Sequence, residues 1–284
     1  MRIGFIGQGY IGKNYADDFE KRGYDVVRYA LEEPYVQNKE LIKDCDVVFI
    51  GVPTPTVPDG AGGIRFDDSI VRGAVGLVGV GKIAVIKSTV LPGRTVDIQK
   101  QYPDRIVIYS PEFLREVRAA EDVANPFANI MGVAVEDDLH REAAETVIAM
   151  LPPAPYASII TSTEAELVKY AHNGSGYTQI VFFNFMYDLA QKLGYDWERI
   201  GEALRADPLI SHTYSNPVHK AGRGAGGHCF VKDFAALRHM AEKELGSDHP
   251  SVRTLQAAEA ANRAILAQSG KDKEIVDGVY GPSA

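Results

Sequence analysis

Gly7-Gln8-Gly9-Tyr10-Ile11-Gly12 follows the apolar run Ile3 to Ile6 and opens a helical pattern that reaches about Arg22. A G-x-G-x-x-G so placed between strand and helix is built for a dinucleotide. Its first glycine permits the tight turn and its second lets backbone approach a pyrophosphate, while the helix amino end offers unpaired N–H groups and positive dipole. Gly7, Gly9, Tyr10, Ile11 and Gly12 are therefore candidate cofactor-binding residues. Outward from this turn, short apolar runs recur at Val26 to Tyr29, Val47 to Val52, Ile83 to Ile86, Ile106 to Tyr109 and Ile130 to Val135, separated by segments of helix length. That alternation is the sequence form of βαβ units and predicts an α/β, Rossmann-type doubly wound parallel sheet covered on both faces.

After Pro155 the pattern changes. From Thr161 to Gly194 there is no proline, and Ser162-Thr163-Glu164-Ala165-Glu166 reads as a capped start of one long helix. Further helices are expected at Asp196 to Arg205, Asp233 to Glu244 and Ser251 to Gln268. Residues 207 to 228 are rich in Pro, Gly, Ser and His, a loop long enough to point to function. The expected organisation is a dinucleotide-binding domain over 1–160, a mostly helical domain over 161–269 entered by the long helix, and a frayed tail over 270–284.

The 284 residues carry 38 acidic and 30 basic side chains, a net charge of −8. This opposes a nucleic-acid backbone or an anionic lipid surface, and no basic patch overrules it. No apolar run is long enough to span a membrane, and no basic start with a long apolar stretch suggests a secretion signal. The two cysteines, Cys45 and Cys229, stand in neither a CxxC nor a metal-ligand spacing, so no metal is expected and a reducing, cytoplasmic setting fits.

The end of the second strand sets the cofactor choice. The acid expected there to bond the adenosine ribose is replaced by Ala30, with Glu32 and Glu33 following. Arg28 offers the alternative of meeting a 2′-phosphate. NAD is the expectation, with NADP left open.

Gly222-Arg223-Gly224-Ala225-Gly226-Gly227-His228-Cys229-Phe230-Val231-Lys232-Asp233 crowds glycines against a cysteine at a helix start. A helix amino terminus and a neighbouring lysine both favour the nucleophilic thiolate. The bland alternative, a small buried hydrophobe, suits Cys45 better than Cys229.

Taken together these stretches resemble the UDP-glucose/GDP-mannose dehydrogenase family. The resemblance rests on six segments in order: Gly7 to Gly12, Val52-Pro53-Thr54-Pro55, Lys87-Ser88-Thr89-Val90, Ser110-Pro111-Glu112-Phe113-Leu114-Arg115-Glu116, Glu166 to Asn173, and the cysteine loop. It implies oxidation of a sugar-nucleotide C6 alcohol to a carboxylate with two NAD+, through a thiohemiacetal and a thioester on Cys229. By the same resemblance Lys169 and Asn173, four apart on one helix, stabilise the oxyanion. Asp233 with Thr89 positions water, Glu112 is the general acid/base, and Glu116 is a carboxylate near the nicotinamide. Pro53, Thr54 and Lys232 belong beside the cofactor. Phe113, Leu114, Arg115 and Gly226 belong with the substrate, and the long helix with a homodimer.

Departures from the family are visible as well. Its third α/β domain, which grips the nucleotide, has no counterpart here beyond Gly270 to Val276 as a remnant of its first strand. An arginine expected early in the 207 to 228 loop is absent, leaving Arg223 or Lys220 to compensate. Gly-Tyr-Gly-Gly is Gly224-Ala225-Gly226-Gly227, and the proline before the lysine is Val231. Core chemistry is thus expected to be retained with altered substrate recognition. Two other readings compete. A single-hydride β-hydroxyacid dehydrogenase has the same two-domain plan and a Lys-x-x-x-Asn helix but needs no cysteine; a degenerate cofactor-binding module needs none of the catalytic residues.

Overall fold

The structure, a computed structural model, describes residues 1–60, 63–219 and 222–282. It divides into two compact units: Met1–Thr54 with Asp67–Lys169, and Pro55–Phe66 with Tyr170–Ala284.

In the first unit, β1 (Arg2–Ile6), α1 (Tyr10–Lys21), β2 (Asp25–Tyr29) and β3 (Val47–Ile50) form the glycine-turn end of the sheet. The chain then leaves through a hairpin, β4 (Thr56–Pro58) and β5 (Ile64–Phe66), that belongs to the second unit. It returns as α2 (Ser69–Gly76), β6 (Ile83–Ile86), α3 (Arg94–Gln101), β7 (Ile106–Tyr109), α4 (Ala119–Ala124), β8 (Ala128–Val133), α5 (Asp138–Met150) and β9 (Tyr156–Thr161). Strand order is β2-β1-β3-β6-β7-β8-β9. The direction of winding reverses between β1 and β3, and in such sheets ligands bind outside the carboxyl ends of the strands at that point. The glycine turn leaves β1 there.

Strands β1, β2, β3, β6 and β7 are nearly continuous apolar runs because both their faces are covered. Phe5 and Phe49, in register neighbours β1 and β3, stack at 5.1 Å, and Phe19 of α1 meets Phe5 edge-on at 5.4 Å. Such pairs add about 0.5–1.5 kcal/mol beyond area burial and fix α1 on the sheet.

Two features depart from the sequence reading. Strand β8 runs antiparallel to β7, pairing only at Ile108↔Val133 and Tyr109↔Gly132. The 110–127 connection stays at the carboxyl end of β7 and contains no helix long enough to carry the chain back for a parallel entry. Strand β9, parallel to β8, was not expected: Ser158 splits the apolar residues of Tyr-Ala-Ser-Ile-Ile-Thr, and the segment directly follows the proline-rich Pro152-Pro153-Ala154-Pro155.

The long helix α6 (Ser162–Leu193) begins in the first unit, where buried Glu166 accepts from Gly93 N at 2.6 Å and from Thr95 N at 2.8 Å, capping α3. Its first two turns therefore stay with the sheet, and the unit boundary lies at Lys169, not at residue 160.

The second unit continues with α7 (Trp197–Ala206), the short ladder β10 (Val218–His219) and β11 (Gly222–Arg223), α8 (Gly227–Leu245), α9 (Pro250–Ser269) and α10 (Lys273–Tyr280). Tyr177 of α6 and Phe234 of α8 stack at 3.7 Å in one cluster; Ile64, Val231, Ala235, Leu266 and Val279 form another. The expected tail is thereby corrected. Residues 273–280 form a helix, not a frayed end or a remnant strand, because Val279 is buried against α8 and α9 and Ile275, Val276 and Tyr280 pack beside it. Among the described residues no helix is long and apolar enough to cross a membrane.

Candidate active site

The glycine turn is held by its own backbone. Gly7 has φ +88°, donates its N–H to Tyr29 O at 2.9 Å, and sits so close to Gly51 that a Cβ would lie 2.3 Å from the Gly51 carbonyl. A Cβ on Gly12 would lie 1.8 Å from Gly7 O. Gly9 is different. At φ −69° its backbone suits any residue, and a Cβ there would meet nothing within 4 Å. Open space above an uncapped helix start, with Tyr10 and Ile11 as the first helical residues, is the cradle that a pyrophosphate needs. The turn therefore fits a dinucleotide, Gly7 and Gly12 for the fold and Gly9 for the approach.

Arg28 does not wait for a phosphate. Its guanidinium is nearly buried and bonds Asp17 Oδ1 at 2.7 Å and Glu20 Oε2 at 2.7 Å. Burial opposes its charge, but Glu20 and Asp17 outweigh it and raise its pKa above the ordinary arginine value. Arg28 as the reader of a 2′-phosphate is thus corrected: α1 already supplies its anions.

Beyond β3 and β6 the loops are laced together. Ser88 Oγ donates to Val52 O at 2.7 Å and accepts from Val52 N at 2.9 Å, fixing the turn that leads to exposed Pro53 and buried Thr54. Thr89 follows, half-buried. Next to it is a polar core that the sequence reading quoted without assigning: Lys87 Nζ reaches Ser110 Oγ at 3.2 Å and Glu112 Oε2 at 3.3 Å, and lies 4.2 Å from the Tyr15 ring centre. Burial pushes the Lys87 ammonium below the usual lysine range, with Glu112 opposing. Glu112 Oε1 accepts from Phe113 N at 2.8 Å and Leu114 N at 3.2 Å, which fixes the orientation of its carboxylate. Lys169 Nζ donates to the Glu112 carbonyl oxygen, bringing Lys169 and Glu112 together. Arg115 instead turns to Asp122, bonding it through Nε at 3.0 Å and Nη2 at 2.5 Å, and Glu116 is exposed in a short 3-10 turn.

In the second unit Cys229 is half-buried in the first turn of α8, after Gly226 and Gly227. Asp233, one turn further on and 1% exposed, accepts from Asn173 Nδ2 at 2.6 Å and from Lys232 Nζ at 2.5 Å. Lys232 thus spends its ammonium on Asp233, a commitment the sequence did not reveal. Cys45, by contrast, is buried, and burial pushes its thiol up to about 11. Arg223 bonds Asn184 Oδ1 at 2.9 Å and Asp188 Oδ1 at 2.6 Å, so it is committed to α6 and does not replace the missing loop arginine; Lys220 lies outside the described residues.

The glycine loop itself is gripped by residues that sequence reasoning missed. Asn262 bonds both the N–H of Ala225 (2.7 Å) and its carbonyl (2.9 Å), Lys271 Nζ donates to Gly224 O at 2.9 Å, and Asp272 Oδ2 accepts from Gly227 N at 2.7 Å. Nothing in residues 262 to 272 marks them as partners of a loop some forty positions upstream.

The family models for the UDP-glucose/GDP-mannose dehydrogenase NAD binding domain and central domain match residues 33–150 and 163–264. The chain belongs to this family. A putative UDP-glucose 6-dehydrogenase of Bacillus subtilis is 32% identical over 281 residues, covering 86% of this chain but 64% of the relative. The structure of a UDP-glucose dehydrogenase from Pyrobaculum islandicum aligns with TM-score 0.78 and 28% identity over 93% of this chain and 68% of that one. A Mycobacterium tuberculosis 3-hydroxyisobutyrate dehydrogenase, 16% identical with TM-score 0.70 over 97% of both chains, shares the fold. The family carries an NAD binding domain, and the glycine turn lies in the unit that its model matches.

Proposed function

We propose that the chain oxidises a primary alcohol, the C6 alcohol of a nucleotide sugar or a related substrate, to a carboxylate in two hydride transfers through a covalent Cys229 intermediate. One observation carries this reading: a half-buried thiol opens α8, and one turn later the same helix buries a carboxylate clamped by an amide and an ammonium. Burying an ionised carboxylate is costly unless it is paired, and a buried pair adds little stability over apolar packing. Such a cluster beside a cysteine is better explained by chemistry than by stability.

Gly7, Gly9, Gly12 and the start of α1, with Thr54 and Thr89 on neighbouring loops, would hold NAD+, which would supply the hydride acceptor when bound. The first oxidation converts the alcohol to an aldehyde, its hydroxyl proton leaving to a base. Cys229 Sγ then attacks the aldehyde carbon, forming a C–S bond and an alkoxide that is protonated to the thiohemiacetal. Loss of a second hydride to a second NAD+, with the hydroxyl proton leaving to a base, gives the thioester. Water attacks the thioester carbon, the C–S bond breaks, the Cys229 sulfur takes back a proton and the carboxylate leaves; Asp233 and Thr89 are the residues assigned to that water by the resemblance. Lys169 and Asn173 offer donors to the developing oxyanion, worth about 10²–10³ in rate each by analogy with oxyanion-hole donors. By the family resemblance Glu112 is assigned as the acid/base, Glu116 and Lys232 to the cofactor, and Phe113, Leu114, Arg115 and Gly226 to the substrate.

The test is the ratio of NADH formed to substrate consumed with UDP-glucose and a panel of nucleotide sugars and simpler alcohols. Two per substrate, with loss of the second oxidation in Cys229→Ser, is the expected result. One per substrate with an unimpaired Cys229→Ser enzyme would identify the single-hydride chemistry of a β-hydroxyacid dehydrogenase.

A further inference from the structure

We infer that Asp272 is the positioning residue for Cys229, acting from the far end of the second unit as the amino-terminal cap of the cysteine's helix. The inference rests on the reading of Cys229 as the nucleophile and adds the part that holds it.

Helix α8 has no cap of its own. Its N-cap position is Gly226, which carries no side chain, and the first N–H of the helix, on Gly227, is satisfied by Asp272 Oδ2 at 2.7 Å from 45 positions along the chain. Cys229 is the third residue of that helix, so the geometry of its first turn is set where Asp272 binds. A helix cap is normally local, supplied by Ser, Thr, Asp or Asn at the N-cap itself. Here the local position is given up.

Gly226 explains why. Its backbone, at φ −108°, suits any residue, yet a Cβ there would lie 1.9 Å from Asp272 Oδ2. The glycine is thus required by the carboxylate that reaches over it, not by its own conformation. Asp272 is held in place at some cost: it is the non-glycine residue with positive φ among those described, at +54°, a conformation that persists only where the surroundings impose it. Those surroundings are also devoted to the loop. Lys271 Nζ binds Gly224 O at 2.9 Å and Ser269 Oγ accepts from Arg223 N at 3.2 Å, while α10 anchors the arm by burying Val279. The arm from Ser269 to Tyr280 therefore closes on the cysteine loop as one element.

An anion at a helix amino terminus also shares the positive pole with any thiolate in the same turn. Asp272 thus does two things that can be separated: its oxygen caps, and its charge competes. Asp272→Asn keeps an acceptor and removes the charge. Asp272→Ala removes both, and Gly226→Ala displaces the side chain while leaving it in the sequence.

The experiment measures the rate of Cys229 alkylation by iodoacetamide from pH 6 to 9, read by intact mass, on the full chain, with circular dichroism confirming the fold. For Asp272→Asn the expected result is a rate profile displaced to lower pH, with about 2- to 5-fold faster labelling at neutral pH, the size of one helix-terminus charge effect. Gly226→Ala should change the profile in the wild-type background but little in Asp272→Ala, since the steric conflict is then gone. A Gly226→Ala effect that is the same in both backgrounds, or an Asp272→Asn profile that overlays the wild type, overturns the inference. Should Asp272→Ala fail to fold, Asp272→Gly, which suits the positive φ of this position, serves as the background without the capping side chain. Because alkylation reads the thiol directly, a Cys229→Ser enzyme that kept both oxidations would sink the proposed reaction without touching this result.

Discussion

Asn173→Ala removes an amide donor to the Asp233 carboxylate. The amide lies 2.6 Å from Oδ2 and both residues are buried, so the lost bond is a charge-assisted one that water cannot replace. Hydrogen bonds to charged groups contribute about 1.5–3 kcal/mol. Lys232 remains at 2.5 Å on the other oxygen, which keeps the loss below the roughly 3–5 kcal/mol of a buried charge left wholly unpaired. A destabilisation of about 2 kcal/mol follows, seen as a fall in Tm of roughly 4–8 °C for a chain of this size. Lys232→Ala should cost more, about 3–5 kcal/mol, since it strips the cation from the carboxylate. The double variant should cost less than the sum, because the two donors act on one shared carboxylate and their losses are coupled. Urea denaturation of the four proteins measures this cycle. A loss under 0.5 kcal/mol for Asn173→Ala, or strict additivity in the double variant, would refute the description of Asp233 as a clamped, ionised group. Turnover supplies the second arm: the proposed oxyanion role predicts a kcat lower by about 10²–10³.

Other consequences are equally direct. Gly9→Ala should leave Tm within a degree or two, as its Cβ meets nothing, while weakening NAD+ binding at least tenfold by fluorescence titration; Gly12→Ala should instead cost stability, its Cβ falling 1.8 Å from Gly7 O. Alkylation at pH 8 should label the native protein once and Cys229→Ser almost not at all, because with its thiol near 11 about one Cys45 molecule in a thousand is thiolate; comparable labelling of the variant would contradict the burial of Cys45. Burial raises Glu166 from 4.5 to about 7, so the folded state holds its proton more tightly than the unfolded one. Stability from this group is then full below about pH 4.5 and is lost as pH rises through 7, on the order of 3 kcal/mol. Glu166→Gln should flatten that slope, and parallel urea midpoints for wild type and variant between pH 5 and 8 would rule it out.

What the sequence made legible was local. The glycine turn and the five apolar runs after it carry their reasons within a few residues, and Ser162 to Leu193 holds helix periodicity without interruption. The antiparallel entry of β8 escaped because strand direction is set by the length and path of the connection, not by the strand's own residues. Strand β9 escaped because Ser158 and Thr161 interrupt its apolar run. The site followed the same division. Cys229, Asp233, Lys169 and Asn173 could be proposed from spacing and resemblance, and the structure joins Asn173 to Asp233 and Lys169 to Glu112. Where each charge would be spent was not legible: Lys232 on Asp233, Arg115 on Asp122, Arg223 on Asp188. Charged side chains reach 5 Å or more in several directions, so their partners depend on packing that no local pattern encodes.

The cofactor preference shows how much that partnering decides. From the sequence, Arg28 near the end of β2 is a cation where an NADP enzyme wants one, and Ala30 removes the acid that an NAD enzyme commonly uses. The structure removes the ground for the NADP alternative and agrees with the expectation of NAD, without changing a residue. Asp17 and Glu20, on the α1 turns that follow the glycine fingerprint, both close on the guanidinium at 2.7 Å, and Lys13 joins Asp17 at 2.7 Å, so the cluster of two cations and two carboxylates is already neutral. A 2′-phosphate, itself close to dianionic, would have to displace two carboxylates from a nearly buried arginine, exchanging satisfied charge-assisted bonds for new ones with no net gain. An uncharged ribose hydroxyl meets no such opposition. The carboxylates of α1 thus exclude the phosphate that Arg28 alone would have invited, in keeping with the NAD binding domain to which this unit matches.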